Sequence, residues 1–272
     1  MNSSDLLSDY QIYRSDHVKE RSVIQLGSYK SLHTSSLCYD VAWHSDDRIL
    51  VAKKGKMDLI NLNNRSCVER SISFAGDLFT IVPYKDWIVL CINLNDLKTE
   101  IVVYGKEFNI LKSWQVEGFS CDIAVVDNKV VLSRQNPGNL KVFSLKGESL
   151  PDIIWNGSSV GIVGCPPDSV ILADREYGKI YKKQLTSGNI LWSADVERPF
   201  FVCVDSNGIT WVRSNDTDCF TLIDPNGMLT KFLTTLDVLL PYATLSGGYS
   251  GGCLLTKSFF QGCHRHTQLC ND

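Results

Sequence analysis

The chain has 272 residues, a net charge of −3 and a pI near 6.0, with 44% hydrophobic and 21% charged residues. That length suits one large domain, and the composition excludes an intrinsically disordered polymer. The mild acidity argues against wholesale nucleic-acid binding while leaving room for a local basic patch, and no apolar run reaches the roughly 18 residues of a membrane-crossing helix.

Residues 1–20 have no clear period and read as a tail or linker. Leu6, Leu7, Tyr10 and Ile12 could form a short amphipathic helix there. The start is polar and acidic, unlike a secretory signal, and carries no Cys/His pattern of a zinc-binding ligase head. Ten cysteines are scattered without a C-x-x-C pair. Cys121, Cys203 and Cys253 fall inside apolar runs, where a thiol behaves as a small core residue. A reduced, cytoplasmic protein is expected, with the sequons at Asn2, Asn64, Asn156 and Asn215 unused.

A strand-like segment, RSVIQLG, occupies 21–27, and from Cys38 a repeat begins. First strands are expected at 39–43, 78–83, 121–126, 160–164, 200–204 and 242–245. Second strands follow at 49–52, 87–91, 130–133, 170–173, 209–212 and 253–256. Third strands follow at 57–62, 100–104, 140–145, 180–185, 219–223 and 264–269. Fourth strands are visible at 68–72, 110–116, 153–155, 190–194 and 228–232. A period of about 40 residues with four short strands and Asp, Asn, Pro and Gly between them describes a propeller blade. The sixth blade ends after its third strand, and 21–27 is expected to pair with 264–269 and close the ring, since an open edge is sticky. Residues 21–272 are therefore expected to form an all-β, six-bladed β-propeller of four-stranded antiparallel blades, monomeric and away from membranes. The tryptophans, one or two per blade, are expected in the wedges between sheets, with some on outer strands part-exposed.

The clearest unit is 200–232, FFVCVDSNGITWVRSNDTDCFTLIDPNGMLTKF. It resembles an NHL repeat, the blade of six-bladed propellers at the C-terminus of many tripartite-motif proteins. The resemblance implies a non-enzymatic binding platform with an adaptor or substrate-recognition role in the ubiquitin pathway, a partner supplying the ligase. It also implies RNA as an alternative ligand, since some family members bind RNA.

Strand direction reverses at every turn. The loops between second and third strands therefore share one face with the connections between blades, and these loops are the longer and more varied set. Variable loops on a rigid scaffold favour recognition. Where the family usually has an acid at the end of the second strand, this chain has Lys53, Ile92, Arg134, Asp174, Arg213 and Lys257. Lys54 and Arg175 adjoin that column, and Arg198 lies on a connection to the same face. With Tyr177, Phe259 and Phe260 these cations make a candidate rim for an acidic or phosphorylated protein segment, or for RNA. The same charges read equally as solvated loop residues or as partners of Glu176, Asp216 and Asp218. Phe119, Phe200 and Tyr242 are read as packing inward.

A metal-dependent lactonase in the channel is a further alternative. It needs several converging carboxylates, and the inner strands offer only Asp40 and Asp122, which fit backbone donors near the strand starts as well. Cys263, His264, His266 and Cys270 cannot present zinc ligands together from one strand, because successive side chains point to opposite faces. No nucleophile elbow or phosphate-binding loop occurs, and Gly247 to Gly252 reads as a flexible turn. No cofactor is expected.

Overall fold

The structure is a computed structural model that describes residues 38–45, 48–61, 67–95, 97–134, 138–205, 207–214 and 219–233. Twenty strands among these residues form five four-stranded sheets. Blade 1 contains β1 (Cys38–Ser45), β2 (Arg48–Lys53), β3 (Lys56–Asn61) and β4 (Cys67–Ser73). Blade 2 contains β5 (Asp77–Tyr84), β6 (Trp87–Asn95), β7 (Lys98–Gly105) and β8 (Ile110–Glu117). Blade 3 contains β9 (Ser120–Val126), β10 (Lys129–Arg134), β11 (Leu140–Ser144) and β12 (Ser149–Ile153). Blade 4 contains β13 (Ser159–Cys165), β14 (Ser169–Asp174), β15 (Lys179–Gln184) and β16 (Ile190–Asp195). Blade 5 contains β17 (Pro199–Val204), β18 (Thr210–Ser214), β19 (Cys219–Ile223) and β20 (Leu229–Leu233).

Each sheet is an antiparallel meander in chain order. The first strands β1, β5, β9, β13 and β17 touch one another in series and form the inner wall of a β-propeller. Among the described residues five blades are present where the sequence reads six. The sixth repeat, the closing strand at 21–27 and the tail at 1–20 lie outside the described residues. No comparable run of contacts joins β17 back to β1 among the described residues.

The core is four apolar wedges, one between each adjacent pair of blades. In β6, Ile88, Leu90 and Ile92 enter the wedge with blade 1, while Val89 and Cys91 enter the wedge with blade 3. Both faces of a middle strand are thus buried, so its sequence reads as a continuous apolar run. Outer strands are covered on fewer sides, and residues 110–113 of β8 are exposed.

A repeated irregularity positions the inner wall. Every first strand carries a register shift near its start, immediately before Asp40, Thr80, Asp122, Gly161 and Phe201 in turn. A bulge re-aims the side chain beside it. Asp40 Oδ2 accepts the Ile81 N–H of blade 2 at 2.8 Å. Asp122 Oδ1 accepts the Thr80 hydroxyl of blade 2 at 2.9 Å, and its Oδ2 accepts the Ile162 N–H of blade 4 at 3.1 Å. These carboxylates pin blade to blade. In blade 4 the column holds Gly161, where a Cβ would stand 3.1 Å from the Phe200 carbonyl.

The outer hairpins are joined by aromatics. Trp192 of β16 lies against Gly227 in the β19–β20 turn and donates Nε1–H to the Pro225 carbonyl at 3.0 Å. Trp114 of β8 lies against Gly147 in the β11–β12 turn. Phe108 in the β7–β8 turn reaches back to blade 1, where Arg70 stands 5.1 Å over its ring and His44 packs at 5.2 Å.

One expected strand is displaced. The fourth strand of blade 3 is Ser149–Ile153, not 153–155. Trp155 therefore sits beyond the outer strand, buried, with its ring edge-on to Tyr181 at 5.0 Å. Trp114 and Trp192 do lie on outer strands and are half-buried.

Candidate functional site

The starts of first strands and the ends of second strands lie at one end of every sheet. Cys38 pairs with Lys53, Lys53 with Lys56, and Lys56 with Ser73. The loops after second strands therefore share a face with the blade connections, as the reversal of strand direction requires. This loop face carries 54–55, 74–76, 118–119, 154–158, 175–178 and 196–198.

The predicted rim residues take different positions on it. Lys53 is 6% exposed and forms an ion pair with Asp58 at 2.7 Å. Lys56 approaches the same carboxylate at 3.5 Å, and Ser71 donates its hydroxyl to it at 2.5 Å. Burial alone would raise the Asp58 pKa; the Lys53 and Ser71 hydrogen bonds and the two lysine charges outweigh it and hold the carboxyl low. The Lys53 charge is thus spent inside blade 1. Lys54 is exposed and makes no ion pair among the described residues. Ile92 is buried in the wedge with blade 1.

Arg134 ends β10 half-buried, lies over Gly118 and donates to the Glu117 carbonyl. Arg213 is half-buried within β18, opposite Phe201. Arg175 and Tyr177 are exposed in the β14–β15 turn, and Arg198 is exposed on the connection from β16 to β17 with φ of 42°. Lys257, Phe259 and Phe260 lie outside the described residues. The turn at Arg175 and the connection at Arg198 bring two cations and one aromatic to blade 4, while Lys54 stands apart on blade 1.

Asp174 holds the blade 4 turn in shape. It is fully buried, and its Oδ1 accepts the N–H groups of Glu176 and Tyr177, each at 3.1 Å. Burial raises its pKa, against the two backbone donors that lower it. The turn closes on Gly178 at φ +63°.

Sequence reasoning missed three apolar contributors to this face. Leu97 is 74% exposed in the β6–β7 loop and Ile154 is 72% exposed between blades 3 and 4. Each is an aliphatic residue outside strand periodicity, which was a readable signal for Leu97, set among Asn95, Asp96 and Lys98. The third is a groove of about 330 Å³ between blades 1, 2 and 3, with Phe74, Phe79, Leu94 and Phe119 on its walls. Phe119 is half-buried and meets Phe79 edge-on at 5.2 Å. Phe200, read as packing inward, is also half-buried.

The channel carboxylates are committed elsewhere, Asp40 and Asp122 to the blade-to-blade bonds given above. Among the described residues no group of three or more His, Cys, Asp or Glu side chains is placed to hold a metal ion. Among the same residues no helix is long and apolar enough to cross a membrane.

The fold is that of a β-propeller, with exposed cations and apolar side chains on its loop face. No family model matches the sequence, and no curated protein matches it. Solved structures do resemble it. A protein described as functionally unknown from Desulfotomaculum acetoxidans is 13% identical, with 74% of this chain and 70% of that one covered and a TM-score of 0.60. The WD40 domain of Neurospora crassa Pan2 is 18% identical, with 69% and 63% covered and a TM-score of 0.55. Kluyveromyces lactis Hsv2 is 13% identical, with 73% and 64% covered and a TM-score of 0.51. The chain thus spans less than two thirds of the Pan2 domain and of Hsv2. At these identities the likeness is one of fold.

Proposed function

We propose that the protein is a non-enzymatic interaction module that binds a protein segment on its loop face, in an adaptor or substrate-recognition role. The observation that carries the reading is the blade 4 turn, where Asp174 fixes the backbone so that Arg175 and Tyr177 stand out, with Tyr177 60% exposed. Exposed Tyr beside Arg is the pairing that anchors protein interfaces. Leu97 and Ile154 add apolar surface on the same face. The cations suit an acidic or phosphorylated segment. The commitment of Asp40 and Asp122 to backbone donors supports a binding role over channel hydrolysis.

The finer reading is an NHL-type ring of six blades, closed by 21–27, working in the cytoplasm within the ubiquitin pathway. The buried free thiol of Cys165 supports a reducing compartment. The test is affinity capture and mass spectrometry with the full chain against an Arg175→Glu, Tyr177→Ser double variant. Loss of a defined set of partners at unchanged melting temperature is expected. Retention of every partner would overturn the assignment of this face. Capture of RNA that weakens steeply with salt would turn the reading to RNA.

A further inference from the structure

The groove between blades 1, 2 and 3 is built, not incidental. Its wall at 74–77 runs against β6 so closely that a Cβ on Gly76 would stand 2.4 Å from the Asn93 carbonyl oxygen. Only glycine fits that approach. Its floor is tied by buried hydrogen bonds. Asn93 donates to the Ser120 carbonyl at 2.9 Å, and Thr99 donates to Asn93 Oδ1 at 2.7 Å. The Phe79 and Phe119 rings therefore sit on a rigid base. A site of about 330 Å³ is at the small end for ligand pockets and takes one or two side chains.

Its polar groups are few. Asn93 is used up in the floor. Asn95 Oδ1 accepts the Leu97 N–H at 2.9 Å, and the Asn95 amide nitrogen has no partner among the described residues. Among the described residues, Asp77, half-buried at the start of β5, is the one acid on the lining. Lys54 is the one cation on the lining among the same residues, and it is exposed. Lys53 and Lys56, on either side of Lys54-Gly55, are both drawn to Asp58, while Lys54 makes no ion pair among the described residues.

We propose that this groove is the anchor pocket for an extended acidic peptide, one apolar side chain entering between Phe74, Phe79 and Phe119 and a neighbouring carboxylate pairing with Lys54. The inference rests on the loop-face reading above and names its partner chemistry. Aromatic walls supply apolar contact area at low entropic cost, and Lys54 sets the sign of the flanking charge. The Asn95 amide can donate to a peptide carbonyl, and Asp77 can accept a peptide N–H, fixing the direction of the strand.

Labelled pentapeptides with a central Phe, Leu, Met or Ala and flanking Asp or flanking Lys are the probes, read by fluorescence polarisation with the full chain. Binding of the acidic Phe, Leu and Met peptides is expected, with losses of about tenfold or more for central Ala, for flanking Lys and for Lys54→Glu. Ala75→Trp, at an exposed lining position, fills the groove and should abolish binding, while Met228→Ser, exposed in the β19–β20 turn away from the loop face, should leave it unchanged. Peptide affinity insensitive to Ala75→Trp or to Lys54→Glu, or no binding by any acidic peptide, overturns the proposal. Capture lost in the Arg175→Glu, Tyr177→Ser variant but kept in Ala75→Trp would retire the groove and leave the loop face standing. Partners held by both variants would retire the loop face as well.

Discussion

Asp122 ties three blades together on the inner wall. Its two oxygens serve blade 2 through Thr80 and blade 4 through the Ile162 amide, with Ile123 N–H as a third donor at 2.9 Å. Asp122→Ala leaves the buried Ile162 N–H without an acceptor and is expected to cost about 2–4 kcal/mol in chemical denaturation. Asp122→Asn keeps one acceptor and should cost roughly half. A cost below about 0.5 kcal/mol for the alanine variant, the level of an ordinary surface change, would contradict the pin. The sequence allowed the inference that Asp40 and Asp122 bond backbone donors near strand starts. It could not tell that the donors belong to the next blade, because that depends on where the bulge turns the side chain. Lys53 shows the same limit. Its partner Asp58 is five residues on, but only the β2–β3 register brings the two together.

At the scale of elements, the outer hairpins of blades 3 and 5 each pack against a tryptophan of the preceding blade. Gly227 has φ of +89°, and a Cβ there would stand 3.0 Å from the Trp192 ring. Gly227→Ala therefore meets two penalties, a left-handed backbone and a displaced indole, and should lower stability by about 2–3 kcal/mol. Gly188 has φ of +69° and nothing within 4 Å, so Gly188→Ala should cost only the backbone share, about 1 kcal/mol. Equal losses on thermal unfolding would show that the tryptophan contact contributes nothing. The turns were readable because Asp-Pro-Asn-Gly and Asp-Ser-Asn-Gly state their backbone requirement locally. Asp205 and Asp224 each accept two N–H groups inside their own turns. The fourth strand of blade 3 was not readable in place. The apolar run Ile153, Ile154, Trp155 outweighs Ser149, Leu150, Pro151, Asp152 as a strand signal. Yet an outer strand tolerates Pro151 where a central one does not. The groove was hidden for a related reason: Phe74 and Phe119 come from separate connections and Phe79 from β5, and they meet only when blades stack.

At the scale of the whole molecule, the blade-to-blade bonds are uneven. Blades 1 to 4 are tied in series by Asp40, Thr80 and Asp122. Between blades 4 and 5 the matching position is Gly161, so no carboxylate reaches across from that column. Native-state hydrogen exchange should find the amides of β17 to β20 opening before those of β5 to β8. Uniform protection across the five sheets would show that the wedges alone set the order of opening. Arg198 lies on the short connection over this junction, next to the turn of Arg175 and Tyr177. A ligand bridging those residues would act as a latch between blades 4 and 5, and its arrival would be felt away from the contact, as slower opening of β17 to β20.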